Sequence, residues 1–437
     1  ASFIENSTVN SKGTLLLDNN SIQRETSIIA SGAGSSDGSA GVGSFGFLLT
    51  FTDQDNYIKN SDVNIGNLSL DTDNNFQVVA VTGAVGVGRS GVSVGGSIYG
   101  LSLANTIDTY IESSNVIASD TISLDSNFDE DVIAVAIGGA GGEKLAVAAA
   151  SNNIINANSI NTYIKGSNEK RNIVANNSKD GTTPGVTVKS NQDIDIISLA
   201  GELAVSTTQA SVGAALTNTI YANNVNSFID NANVTAKNGV DVQALADVFQ
   251  ITTPVGVSGG QQAAVNGSFD TYVFNQDVKS YIKNSALKTD GAVNVKAQDD
   301  LQLISTAGAA AISTKGAAAV GGAILTSVIT GSVEAYIKDT TLDSISLSKE
   351  IGNVKVDASS TENIVATTVS GGVAAKGLGV AGAVNTIVID RDTSAYLDNV
   401  DTINVVDVEE SFLIHSGNKP FDNFPVVNTV LYVVKLS

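Results

Sequence analysis

Eight times along the chain an aromatic residue is followed directly by an aliphatic one: Phe3-Ile4, Tyr57-Ile58, Tyr110-Ile111, Tyr163-Ile164, Phe228-Ile229, Tyr281-Ile282, Tyr336-Ile337 and Tyr396-Leu397. Successive pairs lie about 53 to 55 residues apart, apart from two longer steps of about 65 and about 60 residues. A long, nearly fixed period is the mark of one supersecondary unit copied and stacked, so the fold question reduces to what a single copy can form.

In the copy that starts at Tyr110, a polar turn follows the pair and Val116 stands six positions after the aromatic; Val9, Val63, Val234, Leu287 and Leu342 keep that offset. An even offset puts the aromatic and the aliphatic on one face if the stretch stays extended. Period-2 pairs come next, Ile122 and Leu124 here, Leu68 and Leu70, Val240 and Val242, Val293 and Val295 in other copies. They mark strands with one buried face. The second half of each copy has two apolar segments around a Gly-rich turn, such as VIAVAIGGAGGEKLAVAAA from Val132. One face carries Val, Ile or Leu and the other Ala, Gly, Ser or Thr, a small-residue face open to close approach by another sheet or molecule. Alanine runs favour helix, but aligned copies fill the same slots with Val, Thr and Gly.

Four strand-like segments per copy predict an all-β fold, a right-handed parallel β-solenoid of about eight repeats of about 53 residues. Two coils of about 26 residues per copy give a rod of roughly 75 to 80 Å, and three coils of about 18 give one of about 110 Å. The array is expected over residues 1–405, with the extra residues of the long steps, 168–184 and 344–352, as protruding corner loops. Residues 406–437 break the pattern and are expected to be a cap or junction. Register already present at Phe3 predicts that the array continues upstream.

Composition narrows the chemistry. The 437 residues include no Cys, Met or Trp and one His, His415. That removes disulfides and Cys- or His-rich metal sites. A formal charge of -21 disfavours nucleic acid and anionic lipid as partners, and no stretch suits membrane insertion. GAVGVGRS (Gly83 to Ser90) and GVSVG (Gly91 to Gly95) match a phosphate-loop string and a nucleophile-elbow string, but both need a following helix where the repeat predicts a strand. The acidic clusters offer Asp71, Asp73, Asp129 and Asp131 as weak Ca2+ ligands, the only cofactor expectation. Asp299-Asp300 is the best candidate for a glycosidase-like carboxylate pair, with no basic cluster near it in sequence. Catalytic residues are not expected.

The Gly-rich turns share one further feature. Lys144 and Lys315 stand at the same offset from their aromatic anchors, Tyr110 and Tyr281, and Gln262 keeps that offset from Phe228. Arg89 falls slightly closer to Tyr57, and Gln209 and Lys376 come near the same place once insertions are subtracted. This predicts basic or amide tips along one edge. Charged tips discourage edge-to-edge aggregation or serve as a binding stripe, and Lys170 and Arg171 in the long insertion are added as contact candidates.

Written out as aromatic-Ile, turn, Val, paired strand and then VAVAxxGAxGxxAVAGAxxxNxI, residues 1 to 405 resemble the repeat region of bacterial filamentous adhesins and autotransporter passengers, nearest to the leukotoxin-type filamentous adhesins of fusobacteria. The resemblance implies a secreted or cell-surface, non-enzymatic solenoid that contacts a host or bacterial protein or glycan, exported by the two-partner or autotransporter route. Three other functions stay open: the receptor-binding part of a leukotoxin, a β-helix polysaccharide lyase or hydrolase, and a filament subunit that self-associates laterally or end to end.

Overall fold

A computed structural model describes residues 1–167, 170–176, 183–316, 318–346, 351–402 and 408–417. The chain is a parallel β-solenoid, and each copy of the repeat makes one coil. Sheet 1 stacks the first long strand of each copy: Thr14–Ser35, Asn67–Gly88, Ile122–Gly142, Val186–Ser206, Gly239–Gly260, Ala292–Ser313, Val354–Ala374 and Val408–Gly417. Sheet 2 stacks the strands that return, among them Ala40–Lys59, Val92–Glu112, Ala210–Asp230, Ala263–Lys283 and Leu378–Thr402. Short strands such as Asp62–Ile65, Asn115–Ala118 and Ala232–Ala236 close the coil.

Every pairing joins equivalent positions, Tyr57 to Tyr110 to Tyr163 and Leu70 to Leu124 to Val188. The anchor aromatics therefore form one ladder of stacked rings, with centroids 4.8 to 5.2 Å apart. One rung per copy corrects the expectation of two or three coils. Strands of 20 to 22 residues make the coil about 70 Å wide, while the eight rings climb only about 35 Å. The molecule is a broad slab, wider across its strands than it is tall along the stack, and not the long rod expected.

The two sheets face each other along their length and converge. At the wide end Phe76, Phe128, Tyr99, Tyr221, Tyr272 and Phe274 fill the space between them. Towards the Gly-rich turns the facing residues shrink to Ala140, Ala146, Ala148 and Ala204. There a Cβ on Gly138 would collide with the carbonyl oxygen of Ala149. The small-residue face thus points inward, sealed by the opposite sheet, and the Val, Ile and Leu face points outward.

The aromatic anchor also faces outward while its aliphatic neighbour is buried: Ile58, Ile111 and Ile164 are 0 to 1 % exposed. Val116 is buried as well, so it shares a face with Ile111 and not with Tyr110, contrary to expectation. The reason lies three positions past seven of the eight anchors. Asn6, Asn60, Ser113, Asn231, Asn284, Asp339 and Asn399 have φ of 47 to 55°, a left-handed turn that interrupts the extended stretch and is tolerated best by Asn and Asp. These turns stack too, Asn60 N–H donating to the Glu112 carbonyl and Ser113 N–H to that of Lys165.

The insertion expected at 168–184 is divided. Arg171–Ala175 is a short strand paired on both sides, with Ile173 buried in the slot of Val116; residues 168–169 and 177–182 lie outside the described residues. Of the second expected loop, Ile351 is buried and Ser344 and Ser346 donate to Asp290, while 347–350 lie outside. The array also runs past residue 405, because Val408–Gly417 pairs in register with Val354–Asn363; residues 418–437 lie outside the described residues.

Candidate functional site

Arg89, Lys144, Lys315 and Lys376 come together on one edge, in the turns where sheet 1 passes to sheet 2. All four are exposed, and the turns stack through Lys144 N–H to Gly91 O, Gln262 N–H to Gln209 O and Lys315 N–H to Gln261 O. Lys170 and Arg171 do not join them. They sit where the short strand begins, at the opposite edge of the slab.

The acidic candidates lie on the outward face of sheet 1. Asp129 is followed in successive rungs by Asp193, Asp247 and Asp300, and Asp131 by Asp195. Burial first, and then the neighbouring carboxylates, raise the pKa values of Asp129, Asp193, Asp195 and Asp247. Asp193 is pushed up to about 6, by burial first and then by Asp247, Asp195, Asp129 and Asp131. Asp71 and Asp73 belong to other columns. Ser69 donates to Asp71 and Asn127 to Asp73, and Asp71 stands six positions from the Asp131 column, about 20 Å along the strand. The four Ca2+ candidates therefore have no common centre, and among the described residues no group of three or more acidic or His side chains is arranged to hold a metal. Asp193, Asp195 and Asp247 were not singled out by sequence reasoning; carrying the repeat register forward from Asp129 and Asp131, rung by rung, would have found them.

Asp299 and Asp300 are separated by the pleat, one pointing in and the other out. Asp299 does have a basic partner. The Arg391 guanidinium, 2 % exposed, pairs with Asp299, stands 3.4 Å from Glu362 and lies 5.4 Å from the centre of the Phe274 ring. Burial pushes the Asp299 pKa up to about 6 against the pull of Arg391. This is an interior ion cluster, shielded from any substrate.

Three further carboxyls are buried with neutral partners. Glu130 accepts hydrogen bonds from Asn156 and Asn158 at 2.6 and 3.0 Å, within a column where Asn105 donates to Asn158 and Asn158 to Asn223. Burial pushes its pKa up to about 7, against those amide bonds. Glu202 is also pushed up to about 7 by burial, opposed by Asn266 and the Val257 backbone. Asp270 accepts from Thr217, Thr252 and Ser305, and burial raises its pKa as well.

The catalytic strings dissolve into strands. Ser93 is fully buried and donates to the Gly86 carbonyl at 2.6 Å, and the segment after Gly83 to Ser90 is a strand of sheet 2. What the surface offers is a set of columns, each repeating one chemistry rung after rung: outward Tyr rings, acidic rows, aliphatic faces and basic tips. No family model, no curated protein and no solved structure matches the chain.

Proposed function

We propose that the chain is a segment of a large extracellular bacterial adhesin, secreted or held at the cell surface, whose slab presents binding surfaces to a host or bacterial protein or glycan. It acts without catalysis and without a cofactor. The observation that carries this reading is the columnar exterior. Identical groups at about 4.8 Å spacing suit weak contacts made many times over, so affinity comes from multiplicity. The buried carboxyls Glu130 and Asp299 are interior and packed by Asn or Arg partners.

The basic turn edge is the contact site in this reading, since its side chains are exposed on turns that a rigid scaffold holds in line. Its test is binding of the purified chain to a panel of acidic glycans and host cells, before and after Arg89, Lys144, Lys315 and Lys376 are replaced together by Ser. Loss of binding in the variant, at unchanged stability, supports the edge. Equal binding by both proteins removes it, and turnover of any glycan removes the non-enzymatic reading.

A further inference from the structure

The outward face of sheet 1 next to the turn edge has an unusual composition. Across six strands, from Asn67–Gly88 to Val354–Ala374, the five outward columns that begin at Val79 and end at Val87 contain only Val, Ile, Leu, Ala, Gly and Thr. Its aliphatic side chains are well exposed, Leu203 at 52 % and Ile137 at 49 %. The patch measures about 900 Å², beyond the few hundred Å² that a monomer ordinarily exposes. The outward face of sheet 2 is less apolar, because Asn153, Asn218, Thr271, Thr326 and Thr386 run through it as a polar column.

Glycines inside this face follow a pattern that the single chain does not require. One column reads Gly83, Ile137, Gly201, Val255, Gly308; the second outward column beyond it reads Val87, Gly141, Val205, Gly259, Ile312. The two alternate out of phase over five rungs. Inward glycines such as Gly138 are forced by the opposite sheet, but a Cβ on Gly83, Gly201 or Gly259 would meet nothing within 4 Å, and none of the three has positive φ. Glycine within a strand is destabilising and often marks the close approach of another backbone.

We propose that this face is the interface of a homodimer, in which a second copy of the chain packs sheet 1 against sheet 1. The inference is independent of the adhesin reading. A twofold axis parallel to the stacking direction keeps rungs level and reverses the strands. It sets Gly83 against Val87, Ile137 against Gly141, Gly201 against Val205, Val255 against Gly259 and Gly308 against Ile312, knob into hole in five rungs, while in the sixth Val369 meets Val373. The same operation lays each basic edge over the partner's Val81 column, about 20 Å along the strand from the row of Asp129, Asp193, Asp247 and Asp300, so the pairing rests on shape and apolar area. Roughly 800 Å² per partner suffices for a stable complex, so the patch is large enough. A bilayer is the poorer occupant: lipid chains need no corrugation, and the acidic rows on the same face repel anionic headgroups.

Sedimentation velocity over a concentration series is the test, applied to the full chain. The wild type is expected to be a dimer at micromolar concentration. Gly201→Val with Gly259→Val fills two holes on each copy at positions where a Cβ meets nothing within 4 Å, and strand glycine is itself destabilising, so the thermal midpoint does not fall while the dimer Kd weakens at least about tenfold. Val265→Lys, on the outward face of sheet 2, leaves the dimer intact. A wild type that stays monomeric at high concentration overturns the proposal, all the more if it floats with phosphatidylcholine vesicles. So does a filled-glycine variant that dimerises as the wild type does.

Discussion

Glu130 makes the stability of this fold depend on pH in a direction opposite to that of most surface-carboxylate proteins. Its carboxyl is 2 % exposed, has two amide donors and no cation, and its pKa stands at about 7 against an ordinary 4.5. A folded-state value above the unfolded one means that the folded protein binds more protons between those limits. The contribution is fully present below pH 4.5 and is lost as pH rises through 7. The shift corresponds to about 3 kcal/mol. Glu130→Gln removes the titration but puts an amide where an acceptor is needed, a loss of about 1 kcal/mol. The variant should therefore be less stable than wild type near pH 4.5 and more stable, by about 2 kcal/mol, near pH 8. Urea unfolding followed by far-ultraviolet dichroism across this range, reported as the difference between the two proteins, cancels the other carboxyls that act the same way. If the two stability curves stay parallel from pH 4.5 to 8, Glu130 is not held protonated and the reasoning fails.

Other outcomes follow from single sites. Arg391→Met strands Asp299 and Glu362 in the interior and should lower stability by about 3 to 5 kcal/mol, and adding Asp299→Asn and Glu362→Gln should recover most of it in the same unfolding assay. Asn284→Val forces a β-branched residue into a left-handed turn, a loss of at least about 1 to 2 kcal/mol, whereas Asn284→Gly should stay within about 0.5 kcal/mol. Pro254 lies mid-strand, and the pairing to the next rung skips it between Thr252 and Val255. Pro254→Ala restores an N–H to the ladder and should gain about 0.5 to 1.5 kcal/mol, read as a raised thermal midpoint.

The period, the strand content and the parallel stacking were legible in the aromatic-Ile pairs because each rung repeats the same demands. Coil length was not. Asn, Asp and Gly in mid-copy look like corners by turn chemistry, yet Asn105, Asn158 and Asn223 are buried and hydrogen-bond along a column, and Asp125, Asp129 and Asp131 are simply the outward residues of one continuous strand. Two apparent strands thus fuse into one of 21 residues. The orientation of the small-residue face was hidden for a related reason: period 2 distinguishes two faces but does not say which is closed, and only the approach of the second sheet over Gly138 decides it. The basic edge was legible because turns fall at constant offset. Arg391 was not, standing far from Asp299 in sequence and brought to it only by the stacking of rungs.

One coil per copy gives every rung a parity. Within a long strand the pairing offset never changes: it is the same at Val186 opposite Val240 as at Val205 opposite Gly259, and the same at Gly239 opposite Ala292 as at Ser258 opposite Ala311. Differences in copy length fall at the turns or the short-strand corner. Loss or gain of one residue inside a strand would turn up to about half of a rung inside out, placing Val on the closed side and Ala on the open one. Loss or gain of a whole copy would only lower or raise the stack by one step. Genes for such chains should therefore change length by entire repeats or at corners, and a single-codon deletion in a strand should be far more damaging than removal of the complete copy that contains it.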